Sequence, residues 1–298
     1  AKIRRIAGYV TDFCLVLSKK KTSKFVILFL YSSLATNAMK ISIEDSIHKV
    51  MNIIEKEDGR TFEEKKKEAI NFLKDKENTL LAERLIDIAT YDEIGKKIYK
   101  KFWAMGECII TENEIILRKV QDSDKHIFIE LQKENNIVKS MMKEEAYRNM
   151  LWNEHIEYKA LMFSVIVDNE YAGYCGIKNT AHEQWEIAIE ILNKWKHKGI
   201  GYRAISVMLD EIKNRLNVSE FRVRIDAENY PSQRLFEKLG AEPNGISEFL
   251  LHEEADIRRC EEENIHLLDE RIQKLAKQFN VEPRKLLSHV LEYKLTWD

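Results

Sequence analysis

The stretch Lys196-His197-Lys198-Gly199-Ile200-Gly201-Tyr202-Arg203 lies between two segments with different apolar patterns. Residues 185–191 before it are typical of a β-strand, and residues 203–216 after it have the apolar spacing of an amphipathic helix. Glycines let the backbone approach a ligand closely, and the free amides and dipole at a helix start favour an anion. Since the stretch is also basic, we expect it to bind a pyrophosphate.

A second informative segment, residues 225–240, follows the next predicted strand and reads IDAENYPSQRLFEKLG. In this order and at this separation, the two segments resemble the Q/R-x-x-G-x-G/A loop and the N-x-x-S…L-x-E-K-L-G signature of the GNAT-type N-acetyltransferase superfamily, in the style of its ribosomal-protein and RimL-like branch. The resemblance covers about residues 113–250. It implies an α+β fold with one mixed, mostly antiparallel sheet flanked by helices.

The resemblance also implies how acetyl-CoA would bind. The residues that would contact the pyrophosphate are Lys196, Lys198, Gly199, Ile200, Gly201, Tyr202 and Arg203, with Lys196 standing where the family commonly has Gln or Arg. Ile191 and Leu192 would pair their backbone with the pantetheine arm, and the side chain of Asn229 would hydrogen-bond to it.

The group that protonates the departing thiolate is less clear from the motif. A tyrosine that often serves as general acid in this family is replaced by Phe236, which lines the cofactor site in this assignment but cannot donate a proton. The alternatives are Ser232, which the resemblance places near the thiol, Tyr230, or water.

The general base follows from strand geometry, because alternate side chains of a strand face opposite sides. Ile187, Ile189 and Ile191 should pack on the helix after the glycine loop, which leaves Glu186, Ala188 and Glu190 facing the acceptor cleft. Burial raises the pKa of a carboxyl group and suits it to accept a proton from an ammonium, so Glu186 and Glu190 are the candidate bases. The alternative is a pair of exposed carboxylates.

The amino-acid composition limits the classes of protein to which this chain can belong. The 298 residues include 48 basic and 50 acidic residues, and the net charge of -2 excludes a strongly basic nucleic-acid coat protein. The four cysteines (Cys14, Cys108, Cys175 and Cys260) form no CxxC pair, and the histidines show no metal-ligand spacing. We therefore expect a cytoplasmic protein without disulfides, without a metal and without a membrane partner.

The first 38 residues differ from the rest of the chain. They are basic, with an apolar run at 25–34 that is too short to span a membrane. A secretory signal is one interpretation. A β-hairpin of residues 8–17 and 24–32, or extraneous sequence before Met39, is favoured because the remainder resembles a cytosolic protein.

The organisation of the remaining chain is predicted as two parts. Residues 39–111 have helical periodicity and form a helical module of unknown role. Residues 112–298 form the GNAT-like domain, with strands expected at 115–117, 161–167, 171–177, 185–191, 221–225 and 246–251 and at the C-terminus. Helices are expected between them, which gives an α+β domain with one mixed sheet.

Residues 253–288 are predicted to be a helical insertion between the last two strands, beside the acceptor cleft, where it could shape specificity or form a homodimer. Within it, residues 272–290 have the spacing of a helix-turn-helix, so that Arg284 and Lys285 could reach DNA. Acidic residues at 261–263 interrupt any continuous basic face, and a plain helical hairpin is favoured.

The sequence therefore predicts an acetyl-CoA-dependent N-acetyltransferase that acts on a primary amine, either a protein N-terminus or a small molecule, by direct transfer in a ternary complex. The alternative is a non-catalytic regulator that senses CoA or binds DNA through residues 272–290. A nucleic-acid partner is the less favoured of these readings.

Overall fold

The computed structural model describes residues 49–50, 52–54, 56, 58–74, 79–110, 115–135, 140–248 and 253–298. The hairpin, signal or extra segment expected at 1–38 lies outside these residues. The described part of the chain combines one mixed sheet with helices on both faces, which confirms the predicted α+β class.

The described N-terminal helices are α1 (Phe62–Lys74) and α2 (Thr79–Trp103). A capping box begins α1: the amide of Thr61 donates to Glu64 Oε2 at 2.7 Å, and the amide of Glu64 donates to Thr61 Oγ1 at 3.3 Å. The end of α2 is buried in the main core, where the Phe102 ring lies 5.3 Å from that of Phe163. The helical module is thus packed onto the sheet rather than separate from it.

The sheet has eight strands among the described residues, in the spatial order β1-β2-β3-β4-β5-β6-β8-β7. Their bounds are β1 (Cys108–Ile110), β2 (Ile115–Lys119), β3 (Leu161–Val167), β4 (Glu170–Ile177), β5 (Trp185–Ile191), β6 (Glu220–Ile225), β7 (Glu242–Ser247) and β8 (Val290–Thr296). The pairs are antiparallel except β5 with β6, which run parallel.

The helices after the first strands are α3 (Lys125–Asn135), α4 (Glu145–Ile156), α5 (Ile200–Leu216), α6 (Tyr230–Lys238), α7 (Glu254–Glu263) and α8 (Glu270–Gln278). Adjacent residues of β4 show which face each helix covers. The ring of Tyr174 contacts His155 of α4, whereas Cys175 Sγ lies 3.9 Å from the carbonyl oxygen of Ala204 in α5. So α3 and α4 cover one face, and α2, α5 and α6 cover the other.

Two boundaries differ from the sequence prediction. The sheet begins at β1, four residues before the domain boundary expected at 112, because Ile109 pairs with Leu117 of β2. A three-residue edge strand carries too little alternation to be recognised. The strand expected at 246–251 is instead β7, displaced toward the N-terminus, and it carries an irregularity between Pro243 and Ile246 where Gly245 has a φ of 86°.

The insertion 253–288 is helical as predicted, but it does not lie beside the face of Glu186 and Glu190. Its helix α8 buries Phe279 against Tyr293 of β8, with ring centroids 4.9 Å apart. Arg271 of the same helix lies 4.1 Å from the ring of Tyr230 in α6. The apolar side of α8 is therefore buried on the α6 side of the sheet. The position predicted for the insertion, beside the acceptor cleft, is wrong.

The helix-turn-helix interpretation is also wrong. The segment that would be the recognition helix is a five-residue 3-10 helix, Pro283–Leu287. Its basic residues are held by a buried carboxylate of α7: Arg284 Nε lies 2.9 Å from Glu261 Oε2, and Lys285 Nζ lies 3.5 Å from Glu261 Oε1. These side chains serve the packing of the insertion instead of projecting toward DNA.

Candidate active site

A cleft opens in the sheet between the two parallel strands. β5 and β6 pair at Trp185 with Phe221 and at Glu186 with Arg222, and then separate. The cavity between them has a volume of about 180 Å³. Its lining residues are Tyr174, Lys178, Ile187, Ala188, Ile189, Glu190, Val223, Arg224, Ile225, Asp226, Asn229, Ser232 and Phe236.

The β5 wall of the cleft presents unpaired backbone. On the β4 side, the amide of Lys178 donates to the Glu186 carbonyl at 2.9 Å, and the amide of Leu192 donates to the Ala172 carbonyl at 2.9 Å. Because backbone groups of an antiparallel strand alternate in direction, the N–H and C=O groups of Ile189 and Ile191 point the other way, into the cleft. An extended ligand with amide groups can pair with this edge.

Leu192 does not belong to that edge. Its amide bonds to Ala172, and its carbonyl accepts from the amide of Trp195 at 2.8 Å. The amide of Leu192 is therefore not available to pantetheine, and the pairing predicted for this residue would rest on its carbonyl oxygen alone. Ile191 is the residue of the expected pair whose backbone faces the cleft.

The glycine loop forms the start of α5 as the sequence predicts. Gly199 is the N-cap with φ 74°, a left-handed conformation that favours glycine, and no side chain caps the helix. The first amide of the helix with a backbone partner is that of Arg203, which donates to the Gly199 carbonyl at 3.2 Å. The preceding amides, from Ile200 to Tyr202, remain available for an anion.

The basic side chains of the loop do not all point toward those amides. Lys198 Nζ lies 4.6 Å from the centre of the Trp195 ring. Lys196 Nζ donates to the side-chain oxygens of Asn135 and Asn193, at 2.8 Å each. Lys196 is thus tied to α3 in this structure, and the expected pyrophosphate contact would require its ammonium to turn. Arg203, the last expected loop residue, has a half-buried side chain in the first turn of α5.

Gly201 brings the loop close to both walls of the cleft. A Cβ atom at this position would lie 3.3 Å from Ile189 Cδ1 and 3.5 Å from Leu235 Cδ2. The absence of a side chain therefore lets the first turn of α5 rest against β5 and α6. This contact places the first turn of α5 against Ile189, one of the residues that line the cleft.

The start of α6 forms the opposite wall. Asn229 is its N-cap, and the side-chain oxygen of Asn229 accepts from the amide of Ser232 at 3.3 Å. Ser232 is half-buried and lines the cleft, and so does the buried Phe236. Tyr230, an alternative proton donor, is absent from the lining, and its buried hydroxyl has no partner among the described residues.

Glu190 presents a carboxylate to the cleft from β5. It accepts three hydrogen bonds from described residues: from Tyr174 Oη at 2.8 Å, Gln132 Nε2 at 3.2 Å and Asn135 Nδ2 at 3.3 Å. Burial, and then the nearby charge of Glu190, raise the pKa of Tyr174 well above its usual range, so its hydroxyl stays a donor. The carboxylate is held in one orientation at the edge of the cleft.

Glu186 occupies a different environment on the same face. Its carboxylate is 5% exposed and lies 2.5 Å from Lys178 Nζ, 2.8 Å from Arg224 and 3.5 Å from Arg222. Burial opposes ionisation, but Lys178 and Arg224 outweigh it and lower the pKa of Glu186. The raised pKa expected for a base is therefore wrong for Glu186, which acts as the centre of an ion cluster.

A second cavity is larger, at about 600 Å³, but it lies away from this chemistry. Its lining residues are Lys133, Met142, Lys143 and Arg148, between the end of α3 and the start of α4. It is a solvent-open hollow, with none of the carboxylates or free amides of the cleft. We therefore place the candidate site in the cleft between β5 and β6.

Sequence reasoning missed several residues of this site. Tyr174, Gln132 and Asn135 hold Glu190 from 16, 58 and 55 positions away in the chain. Asp226, which faces the cleft from β6, was also missed. Glu186 pairs with Arg222, so Asp226, four residues after Arg222, would lie opposite Glu190 if the two strands had stayed paired. This register was the available signal for Asp226.

Within the described ranges, no group of three or more His, Cys, Asp or Glu side chains could hold a metal ion. Among the helices that the structure describes, none has the length and apolar character needed to cross a membrane.

Part of the chain is similar in sequence to known acetyltransferases. Residues 114–242 match the family model described as an acetyltransferase (GNAT) domain. An N-alpha-acetyltransferase of Saccharolobus solfataricus is 29% identical over 108 residues, which cover 32% of this chain and 65% of that relative. Residues 114–242 are therefore similar to the acetyltransferase domains of the GNAT family.

Solved structures with a similar fold include two ribosomal-protein acetyltransferases. RimJ of Mycobacterium smegmatis, in complex with CoA-disulfide, matches with a TM-score of 0.44 and 14% identity over 64% of this chain and 86% of that chain. The RimL ribosomal L7/L12 alpha-N-protein acetyltransferase, in complex with coenzyme A, matches with a TM-score of 0.46 and 13% identity, over 64% and 99%.

Proposed function

We propose that this protein is an acetyl-CoA-dependent N-acetyltransferase that moves an acetyl group directly to a primary amine, either of a protein N-terminus or of a small molecule. The observation that carries the proposal is that an anion-binding helix start and a carboxylate lie at the same strand, β5. The free amides of Ile200 to Tyr202 belong to the first turn of α5, which Gly201 places against Ile189, and the carboxylate of Glu190 lines the cleft from β5.

The residues present fit acetyl-CoA. The anion-binding helix start, which follows Gly199 in its left-handed backbone conformation, suits a pyrophosphate. The cleft-facing backbone of Ile189 and Ile191 suits the amides of a pantetheine arm, and Asn229 stands across the cleft to hydrogen-bond it. When bound, acetyl-CoA supplies the acetyl thioester.

Glu190 is the proposed proton acceptor. An amine must lose a proton to become a nucleophile, and a fixed carboxylate within hydrogen-bond reach can take it directly or through water. Asp226 lines the same cleft and adds a second negative charge that attracts an ammonium group. Glu186 does not take this role because its charge is committed to Lys178, Arg222 and Arg224.

Ser232 is the proposed proton donor to the thiolate. It stands at the start of α6 on the cleft, whereas Phe236 one turn later has no proton to give. Ordered water is the other donor that this geometry allows. Holding both reactants in the cleft favours transfer in a ternary complex, because the entropy cost of bringing them together is met by binding.

The proposed catalytic domain is 112–298, to which β1 and the end of α2 contribute packing. We place the protein in the cytoplasm, a proposal supported by the buried thiol of Cys175, which forms no disulfide with another described residue. The role of the module before residue 112 is outside this proposal.

Thermal unfolding with acetyl-CoA, CoA or ATP tests the cofactor site. A ligand at a hundred times its dissociation constant stabilises a protein by about 2.7 kcal/mol, which a melting curve resolves. We expect both CoA forms to raise Tm and ATP to leave it unchanged. An equal shift with ATP would mean a general phosphate site, and no shift with any ligand would remove the cofactor assignment.

A further inference from the structure

The end of α3 contacts both halves of the proposed machinery. Asn135, its last residue, donates from Nδ2 to Glu190 Oε2 at 3.3 Å and accepts at Oδ1 from Lys196 Nζ at 2.8 Å. The orientation of this amide is fixed by chemistry, because an ammonium only donates and a carboxylate only accepts. One side chain therefore bridges the glycine loop and the candidate base.

Two neighbouring contacts make this bridge part of a larger attachment. Glu134 Oε2 accepts from the backbone amide of Asn193 at 2.8 Å, so consecutive residues of α3 hold the segment that leads into the loop. Gln132, three positions earlier, donates to the same oxygen of Glu190 at 3.2 Å. The C-terminal turn of α3 thus fixes the loop and the carboxylate relative to each other.

We propose that Asn135 is a positioning residue that couples the glycine loop to the base, so that an anion bound at the loop changes how Glu190 is held. The inference rests on the proposed function, in which the loop binds acetyl-CoA and Glu190 accepts the proton. Asn135 is not among the residues that line the cleft, so it acts through Glu190 and Lys196.

The physical basis is competition for one ammonium. A phosphate is a stronger partner for Lys196 than a neutral amide oxygen, since its negative charge attracts the ammonium and an amide oxygen carries no net charge. When Lys196 turns to a phosphate, Asn135 loses its anchor while it still donates to Glu190. Any such coupling is reciprocal, so the state of Glu190 also affects anion binding at the loop.

Substitutions at Asn135 separate positioning from simple attachment. Asn135→Leu removes the hydrogen-bond donor to Glu190, and we expect kcat to fall about tenfold. A hydrogen bond to a charged group contributes about 1.5–3 kcal/mol, and the tenfold loss corresponds to the lower end of that range. Asn135→Asp keeps an acceptor for Lys196 but sets a second negative charge against Glu190. We expect it to lower kcat further, about a hundredfold.

The pH dependence gives a readout that a purely structural role would not move. Both variants should shift the acidic limb of the kcat–pH profile to higher pH, and Asp more than Leu, because the charged carboxylate loses support. The other charged or titratable groups around Glu190 are unchanged in these variants: Tyr171, Tyr174, Lys178, Lys196, Arg224 and Asp226.

Asn149→Leu is the matched control. Asn149 is also a half-buried amide that accepts from a lysine, Lys125 Nζ at 2.9 Å, but it has no contact with Glu190. We expect wild-type kcat and pH profile for this variant. If Asn135→Leu does not fold, Lys196→Met tests the same bridge from its other end. The acidic limb of the kcat/KM–pH profile for acetyl-CoA reports the free enzyme and should shift to higher pH, whereas that of kcat reports the complex in which Lys196 has already turned away and should not shift.

Isothermal titration with acetyl-CoA keeps this inference separate from the proposed function. If wild-type protein neither binds acetyl-CoA nor acetylates amines, the proposed function is wrong, and the coupling through Asn135 is rejected together with it. If wild type does both, but Asn135→Asp is as active as wild type or more active than Asn135→Leu, then Asn135 only tethers Lys196 and the coupling is overturned.

Discussion

Substitution of Gly201 probes the loop with a predictable magnitude. Its Cβ would meet only Ile189 Cδ1 at 3.3 Å and Leu235 Cδ2 at 3.5 Å, and the first of these is the flexible end of a side chain. A small side chain therefore requires the end of the Ile189 side chain to move by a few tenths of an ångström, and equally so in both variants. Gly201→Asn and Gly201→Asp add nearly the same volume, so their difference isolates the added charge.

The charge decides the outcome because the position is in the first turn of α5, beside the free amides. Two unit charges about 5 Å apart at an effective dielectric of about 20 interact by about 3 kcal/mol, which corresponds to about a hundredfold in affinity. The same aspartate should not harm folding, since acidic residues near a helix N-terminus stabilise by about 0.3–1 kcal/mol.

The assay is isothermal titration of acetyl-CoA into both variants, with Tm measured alongside. We expect Gly201→Asp to bind about a hundredfold more weakly than Gly201→Asn, while its Tm without ligand is equal or higher. Equal affinities for acetyl-CoA would show that no pyrophosphate lies near this turn, and the loop assignment would be refuted.

Two further predictions concern buried ionisable groups. The pKa of Glu186 lies below its usual 4.5, so its charged form stabilises the fold at neutral pH and that contribution is lost as the pH falls through the folded value. Glu186→Gln should therefore lower the free energy of unfolding by about 2 kcal/mol at pH 7. This is less than the 3–5 kcal/mol of a fully buried pair because Lys178 is 46% exposed. Urea unfolding should show that the difference from wild type becomes smaller below pH 4. A deficit that does not change with pH would contradict this. Burial lowers the pKa of His155 from 6.5 to about 4, so wild type should lose up to about 3 kcal/mol as the pH falls from 6.5 to 4. His155→Phe keeps the stacking on Phe128, whose ring lies 4.3 Å away, and should remove most of that loss; parallel pH curves for the two proteins would argue against a buried neutral imidazole.

The parts of the fold that sequence predicted are those with strong local patterns. The strands Leu161–Val167 and Trp185–Ile191 have the predicted bounds. Between β3 and β4, Asp168 and Asn169 take positive φ values of 51° and 61°, which fits residues that tolerate the left-handed region in a tight hairpin turn. Alternation and turn chemistry are local properties, so they can be read without knowing what packs nearby.

The misassigned parts depended on distant partners. The apolar spacing of α8 fits a DNA-binding module as well as a packed insertion. The burial of Phe279 against Tyr293 and the short 3-10 helix Pro283–Leu287 decide between them. Glu186 and Glu190 share one face of β5, yet one is surrounded by cations and the other by neutral donors. Alternation gives the face of a side chain, but its neighbours come from strands and helices whose register the sequence does not set.

The loop geometry was predictable because glycine spacing reports it directly, whereas the partners of its cations were not. Lys196 has the charge expected of a phosphate ligand, but Asn135 and Asn193 hold it in the structure. The alternation of a strand likewise does not reveal that Leu192 has already bonded to Ala172.

Acetyl transfer by wild type and Glu190→Gln tests the central claim most directly. Each protein is incubated with acetyl-CoA and a panel of peptide N-termini and polyamines, and thiol release and acetylated products are measured, with acetyl-CoA affinity determined in parallel. We expect wild type to acetylate an amine on the panel, and Glu190→Gln to retain acetyl-CoA binding but to turn over about a hundredfold more slowly. Equal turnover by the two proteins would remove Glu190 as the base, and acetyl-CoA binding without transfer to any amine would contradict the assignment of an acetyltransferase.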